Sequence, residues 1–257
     1  MCSPIVNTSS SSSFQPPCFP VATHLTRSIT SEKASKDSDN YEEKKIYEGL
    51  TPQILMLAAE TDHILHHRIA DMSLEEICSD ETKQIVANMI YSIRPQQLES
   101  ANAPYNKAAG MAANQWNINK RIFLFCPDGS DGDIKVIFNP TYKSIDPPQN
   151  VTDDDLNTKT SDQFTNFFRE GCFSVWHAYG IVERYTHIEI SYIDCKVIQH
   201  TNEKLSGWQA RVWQHETDHL DGILYSNRQS GINYGPNCTE FRRFPSKTEF
   251  EEHLQKK

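Results

Sequence analysis

The sequence predicts an α+β fold in which antiparallel or mixed β-sheets surround a central helix that carries metal-ligand side chains. Three observations predict it. Apolar residues recur at helical spacing from Pro52, again over residues 80–93 and again over 206–222. Between these stretches, short runs rich in β-branched and aromatic residues are bounded by turn formers and read as strands. The last helical stretch holds His215 and His219 four residues apart with Glu216 beside the first, which puts both imidazoles on one helix face.

Taken in order, residues 1–40 read as a separate leader. A serine run from Ser9 to Ser13 lies among Pro4, Pro16, Pro17 and Pro20, and no acidic residue precedes Glu32. Organelle transit peptides share this serine-rich, acid-poor composition, although an untargeted tail does too. Residues 41–257 are expected to form one domain. Pro52 opens a helix carrying Ile54, Leu55, Leu57, Ala58, Ile64 and Leu65, with His63, His66 and His67 on a solvated face. A second helix carries Ile85, Val86, Met89, Ile90 and Ile93 on one side, and Pro95 stops it.

The small residues from Ala108 to Ala113 allow a backbone to approach a ligand or a neighbouring element closely. Strands are expected over 121–126 and 134–138, the second ended by Asn139-Pro140. Residues 146–168 read as an inserted loop. Its acidic run at Asp153-Asp154-Asp155 lacks the ligand spacing and turn glycine of a calcium loop. Residues 181–185 and 188–192 read as a hairpin, and 196–199 as a further strand. Ser206 is placed to cap the histidine-bearing helix and Gly222 to end it. Along that helix Trp208, Val212, His215, Glu216 and His219 share one face. A basic pair, Arg242-Arg243, precedes a short polar helix.

Composition narrows the function. The chain has 257 residues, a formal charge of −9, 23% charged and 37% hydrophobic residues, as expected of a soluble globular body. That charge argues against a sequence-independent grip on nucleic acid. The longest apolar runs are too short to span a bilayer. Seven cysteines without a CxxC pair argue against a complete disulfide framework and fit a reducing compartment.

Two histidines leave a tetrahedral metal one protein ligand short. Peptidases with a longer helix motif place a third histidine where this chain has Tyr225. Other zinc peptidases use a later glutamate, for which Glu240 is the candidate, and Cys172 is the remaining one. The segments Gly110-Met111-Ala112-Ala113-Asn114-Gln115, Glu170-Gly171-Cys172-Phe173-Ser174 and Gln214 to Gly222 resemble, in order, the three signature motifs of peptide deformylases. Asn139-Pro140, Gly180, Val182, Arg184 and Ala210-Arg211 add to the resemblance, which covers roughly residues 105–228.

The resemblance implies a divalent metal, most often ferrous iron, held by Cys172, His215 and His219; zinc, nickel or cobalt suit the same ligands. It implies Glu216 as the general base and acid acting on water at the metal. The side-chain amide of Gln115 and the backbone N–H of Phe173 would stabilise the oxyanion, each such donor being worth about 3 kcal/mol. An extended substrate would pair with main chain near Ala109 and Gly110. Val212 and Trp208 would line a pocket for methionine, and Trp176 would stand at its mouth. The implied substrates are N-formylmethionyl peptides of nascent chains, which with the leader points to a mitochondrion or plastid.

The chain departs from the family pattern at Ala108, Met111 and Asn117, and at Trp176 and Tyr179 where proline and arginine are usual. These departures motivate a second reading, a diverged and weakly active or inactive binding protein. A third is the metallopeptidase with Glu240.

Overall fold

The computed structural model describes residues 49–101, 103–146, 164–226 and 238–255. The leader and residues 147–163 of the acidic insertion lie outside them. The described helices are α1 (Leu74–Cys78), α2 (Asp80–Ser92), α3 (Pro95–Ser100), α4 (Gly207–Leu220) and α5 (Lys247–Gln255). The strands are β1 (Gly110–Ala112), β2 (Ile122–Phe125), β3 (Lys135–Ser144), β4 (Thr165–Cys172), β5 (Val175–Tyr185), β6 (His187–Ile193), β7 (Gln199–Ser206) and β8 (Cys238–Arg243). They form one sheet in the order β1-β2-β3-β6-β7 and another in the order β4-β5-β8, with every described pairing antiparallel. Both sheets pack against α4, so the histidine-bearing helix is central as expected. Among the described residues no helix is long and apolar enough to cross a membrane.

Several local expectations fail for identifiable reasons. The helix expected from Pro52 does not form, and only a 3-10 turn at His63–His66 is present. Its backbone amides bond elsewhere: Gln53 N–H donates to Asn88 Oδ1 (2.9 Å), Leu55 N–H to Ser92 Oγ (2.8 Å) and Ala58 N–H to the Gln115 carbonyl (2.8 Å). Tertiary partners thereby replace the i−4 ladder. Pro95 does not merely end α2 but opens α3 at its first turn. Asn139-Pro140 does not end β3. The strand absorbs the proline in an irregularity between Phe138 and Thr141, with Asn139 at φ 49°.

The expected hairpin of 181–185 with 188–192 is also absent, because β5 and β6 belong to different sheets. At the corner between them, Gln214 of α4 donates to the Tyr185 carbonyl (2.9 Å) and accepts from its N–H (3.0 Å). The helix thus takes the groups that a hairpin partner would have used. Residues 181–185 pair instead with β4, and β6 pairs with β7, which starts at Gln199 rather than Lys196. Residues 165–168 lie in β4, which shortens the expected insertion at its C-terminal end.

Alternation on β2 explains how one sheet serves two layers. Ile122 and Leu124 face a cluster with Val86 and Met89 of α2. Phe123 and Phe125 face the opposite cluster, with Ala210, Val212 and Trp213 of α4. A strand covered on both sides reads as the unbroken apolar run Ile-Phe-Leu-Phe. Trp213 sits at the centre, edge-on to Phe123 (5.0 Å between ring centres), Phe125 (5.5 Å) and Tyr192 (5.3 Å). Replacing a fully buried tryptophan removes its transfer energy and leaves a cavity. Trp213→Ala is therefore expected to lower unfolding stability by about 3–5 kcal/mol, read from the urea midpoint at unchanged m-value.

Candidate metal centre

The centre is built where β4, the β1–β2 region and α4 meet. On β4, Glu170 and Cys172 lie two residues apart and both point inward, as strand alternation requires. On α4, His215 and His219 lie one turn apart, with rings 5.0 Å apart. One ligand atom from each of Cys172, His215 and His219 falls within 4.8 Å of the others. Cys172 Sγ is 3.1 Å from His219 Nε2 and also accepts from the Ser174 N–H at 3.3 Å. Glu240, the alternative ligand, is exposed on β8 opposite Ile181 and stands outside this group.

His215 is oriented by a buried charge network that joins three elements. Its Nδ1 lies 2.8 Å from Glu170 Oε2, which leaves Nε2 as the ring nitrogen free to act as a ligand. The same carboxylate accepts two bonds from Arg184 (2.7 and 2.9 Å) and one from Arg211 (2.6 Å). Arg184, only 1% exposed, also reaches Asp218 of α4 at 2.7 Å. Burial alone would raise the Glu170 carboxyl, but Arg184 and His215 hold it well below the usual carboxylate range. The sequence motifs include Glu170, Arg184 and Arg211, yet nothing in their spacing reveals that they meet. The usable signal was parity, since Glu170 shares the buried face of β4 with Cys172.

Glu216 follows the first histidine and is buried against β1. A Cβ on Gly110 would stand 2.7 Å from Glu216 Cγ, so the close approach expected of the small-residue segment is made to this side chain. Burial pushes the Glu216 carboxyl up to about 7, against the opposing pull of His215. Its Oε2 is buried without a protein hydrogen-bond partner. Gln115, on the 3-10 turn Ala113–Trp116, accepts from the Ala112 N–H through Oε1 (2.9 Å). Its Nε2 is thereby turned toward Ser174 Oγ (3.1 Å) and Cys172 Sγ (3.6 Å).

A cleft of about 220 Å³ opens onto these groups. Ala109, Gly110, Gln115, Cys172, Phe173, Val212, His215 and Glu216 line it, with Trp208 and Lys107. Trp208 is 50% exposed and donates from Nε1 to the Pro127 carbonyl at 3.0 Å. Trp176 does not line the cleft. It is 37% exposed near the start of β5. Tyr179 also lies away from the cleft, buried and stacked on His253. Ser206 is at the N-cap of α4 as expected, but its side chain makes no capping bond. Gly222 ends the helix at φ 73° with the His67 backbone against it.

A family model described as polypeptide deformylase matches residues 54–233. The chain belongs to the polypeptide deformylase family. Peptide deformylase 1A, chloroplastic, from Solanum lycopersicum is 32% identical over 187 residues, covering 66% of this chain and 57% of the relative. Peptide deformylase 1A, chloroplastic/mitochondrial, from Arabidopsis thaliana is 28% identical over 188 residues, covering 67% and 60%. The chain thus spans less than two thirds of the length of these curated relatives. Among solved structures, the Met-Ala-Ser-bound class I type b peptide deformylase from Acinetobacter baumannii superposes with a TM-score of 0.51 at 25% identity. That match covers 69% of this chain and 99% of the other. The α+β fold is therefore that of deformylases.

The Glu170 network has a direct stability consequence. Glu170→Gln keeps the shape but leaves the buried guanidinium groups of Arg184 and Arg211 short of a counter-charge. The expected outcome is a loss of about 3–5 kcal/mol in unfolding free energy by denaturant titration, far above the cost of an exposed ion pair.

Proposed function

We propose that this protein is a metal-dependent hydrolase that removes the formyl group from N-formylmethionyl peptides. The observation that carries the reading is the convergence of Cys172, His215 and His219 beside Glu216 at the end of a cleft. The donor set suits a divalent ion: one thiolate and two imidazoles, with the His215 ring already held by a carboxylate. Ferrous iron is the proposed ion, and zinc, nickel and cobalt suit the same ligands. When bound, such an ion supplies Lewis acidity and brings the pKa of a water toward neutrality.

The protein's own groups supply the rest. Glu216 takes a proton from the attacking water and returns one to the departing amine, a role suited by a carboxyl near neutrality with an unpartnered oxygen. Gln115 Nε2 offers a fixed donor to the carbonyl oxygen as it gains charge, joined in this proposal by the backbone N–H of Phe173. Ala109 and Gly110 provide main chain for an extended peptide, and Val212 and Trp208 provide apolar wall for methionine. The substrates are nascent chains of an organelle with bacterial-type translation. The leader composition and the organellar names of the two plant relatives support that compartment.

Anaerobically prepared, metal-loaded protein is expected to release formate from formyl-Met peptides, and chelation to abolish this until ferrous, nickel or cobalt ion is returned. Glu216→Gln should retain the ion while kcat falls about 10²–10⁴-fold. Gln115→Leu should lower kcat about 10²–10³-fold. A fully loaded wild-type protein that releases no formate would sink the proposal.

A further inference from the structure

The ladder between β4 and β5 does not by itself fix the position of Cys172. Its register is regular from Thr165 to Glu170 and then shifts before the Cys172–Val175 pair, so the turn holding the thiol begins in an irregularity. Something outside the ladder must define it. Tyr105, from the segment ahead of β1, reaches this point. Its hydroxyl donates to the Ala178 carbonyl on β5 at 3.3 Å and lies against Gly171 of β4. One hydroxyl thus bonds one strand and packs against the other at the turn.

The approach is possible only because position 171 has no side chain. A Cβ on Gly171 would stand 2.0 Å from the Tyr105 hydroxyl oxygen. The Tyr105 ring meets Phe173 edge-on, with centres 5.4 Å apart, and the same ring meets Phe250 of α5 at 5.8 Å. Phe250 is itself 1% exposed and packs on Phe244 at 5.6 Å. Lys247 Nζ donates to the Ala103 carbonyl at 3.0 Å, which ties the start of α5 to the backbone two residues before Tyr105. The C-terminal helix therefore backs Tyr105, and Tyr105 backs the turn.

We propose that Tyr105 is a positioning residue for the Cys172–Phe173 turn and that α5, through Phe250, holds Tyr105 in place. The inference rests on the reading of Cys172 as a metal ligand. Tyr105 also lines the cleft, but the role proposed for it is exerted on the turn. It sets where the thiolate sulfur stands relative to His215 and His219.

Cobalt provides a readout that a purely structural role would not move. In cobalt-loaded full-length protein, the wild type is expected to show a thiolate-to-cobalt charge-transfer band that Cys172→Ser removes. Tyr105→Phe keeps the ring and loses the hydrogen bond to Ala178. Its band is expected to shift, and cobalt to dissociate about tenfold faster, at unchanged far-UV circular dichroism. Phe250→Ala should reproduce the shift and Phe250→Leu should largely reverse it. A Tyr105→Phe protein with the wild-type band and dissociation rate overturns the positioning role. Phe250→Ala with an unshifted band removes α5 from it. A wild-type protein without the thiolate band overturns the ligand reading itself, and this inference with it, which separates the two failures.

Discussion

The carboxylate of Glu170 accepts hydrogen bonds from Arg184 and Arg211 and pairs with His215, and through these contacts β4, β5 and α4 are held in one arrangement. With Asp218 on the far side of Arg184, two carboxylates and two guanidinium groups share a space from which water is excluded. Such a set is tolerable only when every member is matched, so its geometry admits little variation. Because Glu170 and Cys172 occupy the same face of β4, a one-residue slip would turn both away from the helix at once. The constraint that satisfies the buried charges also keeps Cys172 on the helix-facing side of β4.

Much of this was legible in the chain. The spacing of His215, Glu216 and His219 follows helical periodicity, and α4 keeps its expected span to within a residue or two. The strands at 121–126 and 134–138 were visible from composition, because apolar β-branched and aromatic runs have few other uses. Gln115 and Cys172 came through resemblance rather than pattern, since each lies alone in a segment with no period of its own. What failed was set by partners remote in sequence. The Pro52 segment has a helical pattern, yet its amides are claimed by Asn88, Ser92 and Gln115. Residues 181–192 alternate like a hairpin, but Gln214 occupies Tyr185 at the corner. No local preference records such long-range claims.

The positions that depart from the family pattern sit where they leave the polar groups of the cleft in place. Ala108 is buried and donates its N–H to Ser130 Oγ at 3.2 Å without requiring a left-handed backbone. Met111 is wholly within the core beneath β1. Asn117 adopts φ 61°, a region that asparagine tolerates better than most residues, and so substitutes for a glycine at modest strain. Tyr179 is absorbed into the contact between β5 and α5. None of these removes a donor, an acceptor or a ligand atom from the cleft.

The anchoring of Gln115 carries a consequence of a different kind. An amide free to rotate can present either its oxygen or its nitrogen, and a visitor of either polarity can be accommodated. Here the backbone N–H of Ala112 occupies the oxygen, which settles the orientation before anything enters. The cleft is therefore polarised in advance. It greets a lone pair and rebuffs a proton at that point, and the sorting of molecules by polarity begins with a bond that none of them touches.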